Sequence, residues 1–240
     1  MLAAFLSLST AHTVITYPGW RGNNLHTNGS LPQDTPSSIG IDIAENGTLS
    51  FPFGMQWMYP CGGMPLTTNR TKWPVSGGAI SVQPGWFRGH SKALIYINIG
   101  IQDGNEKAPP NYSHPIVPPF QITGPTNDKY PGQFCLPQTS MPANTSLQVG
   151  QNITIQVIET AQHGAALYSC VDVTLADDHD PEIQEVTRDN CYNSSDIGFN
   201  LLFTTQGLDA EGLTNGAISR RAYSWLSWAG FMLIWAAFLT

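Results

Sequence analysis

Lys92-Ala-Leu-Ile-Tyr-Ile-Asn-Ile-Gly-Ile101 is the stretch from which the fold is read. Its side chains are almost continuously apolar and rich in β-branched residues, which are stiff at χ1 and pack well on a pleated surface. A run of this kind reads as a central strand covered on both faces. Residues 146–159 give a second long run, in which Leu147 and Val149, then Ile153, Ile155 and Val157, alternate around Gly150 as a turn or bulge. Shorter strand-like runs occupy residues 40–43, 48–52, 78–82, 166–174 and 199–204. With 18 prolines and 23 glycines and no long 3.6-residue period, helices are not expected. Residues 104–133, crowded with prolines, are expected to form a long surface loop. The pattern predicts an all-β, two-sheet sandwich with long loops and no internal repeat.

Both ends of the chain read as processing signals. Residues 1–11 (MLAAFLSLSTA) are apolar and finish in Ser9-Thr10-Ala11, small residues of the kind a signal peptidase reads, so His12 is the expected mature N-terminus. Thr214-Asn215-Gly216-Ala217 is a small-residue cluster, followed by a polar spacer (218–224) and an apolar, uncharged tail (225–239). That order is the signal for a glycosylphosphatidylinositol (GPI) anchor, with cleavage at Asn215. The tail is shorter than the roughly 20 apolar residues of a spanning helix, which makes a tail-anchored helix the second choice. The expected organisation is a signal peptide (1–11), a folded domain (12–204), a linker (205–215) and an anchor propeptide (216–240).

The middle of the chain agrees with secretion. Sequons stand at Asn28, Asn46, Asn69, Asn111, Asn144, Asn152 and Asn193, many for so short a chain. The cysteines Cys61, Cys135, Cys170 and Cys191 are even in number with no CxxC pair, and in an oxidising compartment they read as two disulfides, with three pairings open. Loss of Arg220 and Arg221 with the tail leaves 8 of the 10 basic residues against 17 acidic ones, a net charge of −9. So acidic a surface excludes nucleic acid as a partner class. GxSxG, HExxH and phosphate-loop motifs are absent from the sequence. Asp177, Asp178 and Asp180 read as a solvated acidic turn.

A histidine at the mature N-terminus carries chemistry. Its α-amino group and an imidazole nitrogen chelate one metal ion, and a second histidine adds a third nitrogen. Such a nitrogen set suits Cu(II), which displaces the amine proton near neutral pH. The stretches His12-Thr-Val-Ile-Thr-Tyr-Pro-Gly-Trp-Arg-Gly22, Phe51-Pro-Phe-Gly-Met-Gln-Trp-Met-Tyr-Pro-Cys61-Gly-Gly-Met64 and Leu167-Tyr-Ser-Cys-Val-Asp172-Val-Thr174 resemble the fungal lytic polysaccharide monooxygenase-like copper proteins, the copper-acquisition factors of the cell surface. The likeness runs from His12 to about Cys191.

The resemblance implies an immunoglobulin-like or fibronectin-like sandwich, a histidine brace, two disulfides and a surface anchor. It implies one copper ion held by the N-terminal His, an internal His and an Asp, which carry over to His12, His90 and Asp172. His90 is preferred because Trp86-Phe-Arg-Gly-His90-Ser leads directly into the strongest strand. His163, just ahead of the Tyr168 strand, is its rival. His26 and His114 sit in polar or proline-rich loops, and His179 in the acidic turn. Tyr168, Cys170 and Asp172 alternate on one strand face, so an interior disulfide at Cys170 would turn Asp172 inward as well. A buried carboxylate needs a partner, either a metal or backbone amides. Asp103, Asp177 and Asp178 fit loops better.

The resemblance further implies copper capture, with a plasma-membrane copper transporter as recipient, by a monomer on the outer face of the membrane or in the wall. An aspartate at the copper would favour Cu(II) and hinder oxygen binding, which argues against an enzyme. The alternative is a monooxygenase acting on wall glycans, with Trp20, Trp57, Trp73 or Trp86 stacking on sugars. A third reading is a wall or adhesion protein without metal.

Overall fold

The computed structural model describes residues 13–21, 42–43, 49–50, 56–84, 91–104, 107–124, 132–142 and 145–202. His12, His26, His90, Trp86, the sequons at Asn28, Asn46 and Asn144, and both terminal segments with Asn215 lie outside the described residues. One compact unit ends at Asn200; of the second, Leu201–Thr240, only the first two residues are described.

All regular structure among the described residues is strand: β1 (Val14–Tyr17), β2 (Asp42–Ile43), β3 (Leu49–Ser50), β4 (Thr71–Pro74), β5 (Ile80–Gln83), β6 (Lys92–Ile101), β7 (His114–Pro115), β8 (Phe120–Thr123), β9 (Phe134–Leu136), β10 (Asn152–Ala161), β11 (Ala166–Ala176) and β12 (Gly198–Leu201). The large sheet runs β12-β8-β6-β10-β11-β4, with β7 also paired to β6, and the small sheet runs β1-β5-β9. β2 and β3 pair with each other. β6, β10 and β11 are antiparallel neighbours, whereas β4 joins β11 in parallel.

The register explains why the long runs are strands. Ile95, Ile97 and Ile99 of β6 lie level with Glu159, Val157 and Ile155 of β10, which lie level with Leu167, Ser169 and Val171 of β11. These residues point to one face, and Ile15, Ile80, Val82 and Phe134 of the small sheet close the apolar core over it. The expected two-sheet sandwich is therefore the fold. Trp73 is fully buried in this core with its indole N–H donating to the Ala79 carbonyl at 3.1 Å, which removes it as a sugar-stacking candidate.

Several expectations are corrected. Residues 104–133 are not all loop, because β7 and β8 lie inside them and both pair with β6. Phe120 and Ile122 alternate into the core there, a short period-2 signal hidden among the prolines. The strand expected over 146–159 begins only at Asn152, and Gly150, at φ 88°, makes the turn before it. β1, β4 and β9 are three or four residues long and carry too little periodicity to be read alone. No helix among the described residues is long and apolar enough to cross a membrane.

Ile97 is fully buried at the middle of β6, whereas Val149 is 60% exposed. Ile97→Ala is expected to lower unfolding stability by about 2–5 kcal/mol, and Val149→Ala by no more than about 0.5 kcal/mol, measured by denaturant titration.

Candidate metal site

Tyr168, Cys170 and Asp172 do share one face of β11, as the alternation predicts, but it is the face turned away from the small sheet. The chain around residues 56–67 covers it, tied down by the Cys61–Cys170 disulfide. Asp172 is 1% exposed beneath that cover. Its Oδ1 accepts from Arg21 Nη2 at 2.7 Å and from the Thr154 hydroxyl at 2.6 Å. Its Oδ2 accepts from Arg21 Nε at 2.7 Å and from the Thr67 backbone N–H at 2.9 Å. A carboxylate offers about four lone-pair positions, and here each has a donor. Arg21 is nearly as buried as its partner, at 5% of its side chain.

This bidentate, charge-assisted pair answers the need for a partner that the sequence raised. Asp172 does not fit as a metal ligand in this arrangement, because a cation would have to displace the Arg21 guanidinium from both oxygens. Sequence reasoning saw a buried carboxylate but missed Arg21, which sits in the same quoted motif as His12. Arg70 lies behind the pair and donates to the Ile153 and Val173 carbonyls at 3.2 and 3.3 Å. Burial lowers its pKa, the Asp172 charge acts against that, and Arg21 adds to the lowering. Tyr112, 3.7 Å from Cys61 Sγ through its hydroxyl oxygen, has its pKa raised chiefly by burial.

The residue after His12 is held by a device that sequence reasoning also missed. The Thr13 backbone N–H donates to Gln56 Oε1 at 2.9 Å, and Gln56 Nε2 donates back to the Thr13 carbonyl. Gln56 is fully buried, and its own carbonyl accepts from Tyr168 N–H at 2.7 Å. Gly62 allows this turn to sit so close: at φ +64°, an added Cβ would lie 2.7 Å from the Tyr168 carbonyl oxygen. The Gly-Gly of Pro60-Cys-Gly-Gly63 was the available signal. Two further bonds lay the N-terminal segment along β11, with Ile15 N–H donating to Ser169 Oγ at 3.3 Å and Arg21 N–H to the Cys170 carbonyl at 2.8 Å.

The remaining candidates are scattered. His163 is exposed in the β10–β11 turn, with the Ala165 N–H donating to its Nδ1 at 3.4 Å. His179 is exposed in the acidic turn. Within that turn Asp180 pairs with Lys72 at 2.8 Å and Asp178 accepts from the Ser76 N–H at 3.1 Å. His114 and Asp103 line a surface cleft of about 240 Å³ beside Asn111. The described residues bring no three His, Cys, Asp or Glu side chains together in a metal-binding group. The second disulfide is Cys135–Cys191, which resolves the pairing the sequence left open. Beside it, Cys135 N–H donates to the sequon Asn193 Oδ1 at 2.8 Å. Asn69 and Asn111 are exposed, and Asn152 is half-buried at the start of β10. Trp20 and Trp57 are 45% and 53% exposed.

Removing one member of a buried ion pair strands the other. Arg21→Met is therefore expected to lower stability by about 3–5 kcal/mol, and Asp172→Asn by a comparable amount, in denaturant titrations of the metal-free protein.

Comparison with known proteins follows the same motifs. The family described as "Copper acquisition factor BIM1-like" matches residues 10–196. The "Lytic polysaccharide monooxygenase-like protein X325" of Aspergillus fumigatus is 62% identical over 212 residues, covering 88% of this chain and 84% of that protein. The "Lytic polysaccharide monooxygenase-like protein ham-7" of Neurospora crassa is 51% identical over 221 residues, covering 90% and 88%. Among solved structures, an AA10 lytic polysaccharide monooxygenase from Streptomyces lividans is similar at 17% identity and a TM-score of 0.34, over 68% of this chain and all of that one. The family match spans the N-terminal segment, the Pro-Cys-Gly-Gly turn and the Tyr168–Asp172 strand, and with the two fungal relatives it shows that the chain belongs to the BIM1-like copper acquisition factor family.

Proposed function

We propose that the mature chain begins at His12 and captures copper at the outer surface of the cell, where a GPI anchor attached at Asn215 holds it. Membership of the copper acquisition family supports the metal and the task. The observation that carries the reading is the grip of Gln56 on both backbone groups of Thr13. Fixing the chain behind a terminal amine preorganises it as a ligand, and this clamp fixes the residue joined to His12. His12 would supply its amine and one imidazole nitrogen, and His90 a second imidazole.

Copper is cargo in this reading. The amine and imidazoles hold it by exchangeable bonds, and a membrane transporter with a comparable nitrogen or sulfur set receives it. The case against polysaccharide cleavage rests on the family's description as a copper acquisition factor.

A second reading, oxidative action on wall glycans, is favoured by the exposure of Trp57 and Tyr59 (59%) next to Gln56. Oxidised oligosaccharides released from chitin or wall glucan in the presence of a reductant would support it.

Secreted protein with a free His12 is expected to bind one Cu(II) with a nitrogen-dominated electron paramagnetic resonance spectrum. Adding one alanine ahead of His12 is expected to weaken binding by at least about 100-fold, about 2.7 kcal/mol. Equal affinity of the extended and native forms in a competitive chelator titration would refute the proposal.

A further inference from the structure

We propose that a cleft at the end of the large sheet where β10 begins binds an acidic saccharide, whose phosphate or carboxylate group is held by Arg70 and Lys107. The cleft has a volume of about 770 Å³. It is walled by the segment 66–70 leading into β4, by Gln102 after β6, by Lys107, by the start of β10 and by Thr174 of β11. Thr174 lies level with Asn152, two residues beyond Asp172 on the outward face of β11. It is six residues from Tyr168, whose N–H bonds Gln56, or about 20 Å along the strand. The cleft is therefore separate from the Gln56 clamp at Thr13, and its chemistry is independent of copper.

What the cleft offers is hydrogen-bond donors. Arg70 Nη1 donates to the Ile153 and Val173 carbonyls at 3.2 and 3.3 Å, and Nη2 to Gln102 Oε1 at 3.1 Å. A guanidinium carries five N–H groups, and the other two have no acceptor among the described residues. Side-chain acceptors here are already used: Gln102 Oε1 by Arg70, Asn152 Oδ1 by the Thr174 hydroxyl at 2.8 Å, and Thr67 Oγ by the Asn69 N–H at 3.1 Å. Thr68 and Lys107 are exposed on the wall. No Asp or Glu is among the described residues that line it. Surplus donors of this kind match a ligand with surplus acceptors, and a charged oxyanion takes them most strongly.

Charge points the same way. Arg21 is paired with Asp172, and Lys72 with Asp180 and Glu182, whereas neither Arg70 nor Lys107 has a carboxylate at ion-pair distance among the described residues. Two unpaired cations in one cleft attract an anion even on a chain of net charge −7. The frame is also fixed: Arg70 is pinned by its three bonds, and the Thr67 N–H ties the wall to Asp172 at 2.9 Å. Preorganised donors lose little freedom on binding. A bare anion would leave most of the cleft unfilled, whereas sites for small organic ligands run to roughly 300–1,000 Å³. The hydroxyl of Thr68 and the amide of Asn152 suit sugar hydroxyls in the remainder. The competing occupant is a glycan attached to Asn69 or Asn152, the two sequon asparagines on the wall.

The test is calorimetric titration of the secreted protein, its own glycans in place, against mannose 6-phosphate, trigalacturonate and the neutral control mannotriose. At least one acidic sugar is expected to bind and mannotriose is not; the tighter of the two identifies phosphate or carboxylate as the anionic group. Affinity is expected to fall as salt rises. Arg70→Gln is expected to weaken binding by at least about tenfold, and Lys107→Glu by about fivefold. Lys107 is exposed, so its variant decides the matter if Arg70→Gln does not fold. Mannotriose or inorganic phosphate binding as tightly as the better acidic sugar overturns the inference. So does unchanged affinity in the folded variants, or no binding of either acidic sugar. Binding that emerges only after endoglycosidase trimming puts the chain's own glycan in the cleft and overturns it too.

Discussion

The buried pair between Arg21 and Asp172 is the constraint on which the described arrangement turns. Both side chains leave water almost completely, and two desolvated charges are tolerated only when geometry and hydrogen bonding are close to ideal. Two parallel guanidinium bonds, the Thr154 hydroxyl and the Thr67 amide meet that condition. In doing so they connect four separate parts of the chain: the end of the N-terminal segment, the loop that follows the Pro-Cys-Gly-Gly turn, β10 and β11. The Cys61–Cys170 disulfide lies two residues away on β11 and reinforces the same junction. It closes a loop of more than 100 residues, stabilising by about 4–5 kcal/mol if chain entropy dominates.

This junction and the Gln56 clamp fasten the N-terminal segment at both of its ends. Arg21 holds one end on the outer face of β11, and Gln56 holds Thr13 at the other. Between them Ile15 drops into the core. The segment is thus held at each of its termini. Asp172 is bound into this junction on the face of β11 turned away from the core, whereas Glu159 of β10 is buried on the inward face.

The fold was largely legible because its central strands advertise themselves. Lys92–Ile101 and the β-branched residues of β10 and β11 make long runs whose period survives any reading. β8 was not legible, since Phe120-Gln-Ile-Thr123 is four residues among prolines and its burial depends on lying beside β6. At the site, alternation placed Tyr168, Cys170 and Asp172 on a shared buried face, but alternation cannot say which of the two faces of a sheet is the core. Nor can it show a partner 151 residues away, which is how Arg21 came to be overlooked. Gln56 carries no signal in isolation, because an amide becomes informative only when the backbone it grips is known.

The most direct test of copper capture at the amino terminus is native mass spectrometry of the secreted protein, which reads the first residue and the bound metal together. The account predicts a chain beginning at His12 and carrying one copper ion. A chain beginning elsewhere, or one beginning at His12 that retains no copper when supplied with it, would contradict the account.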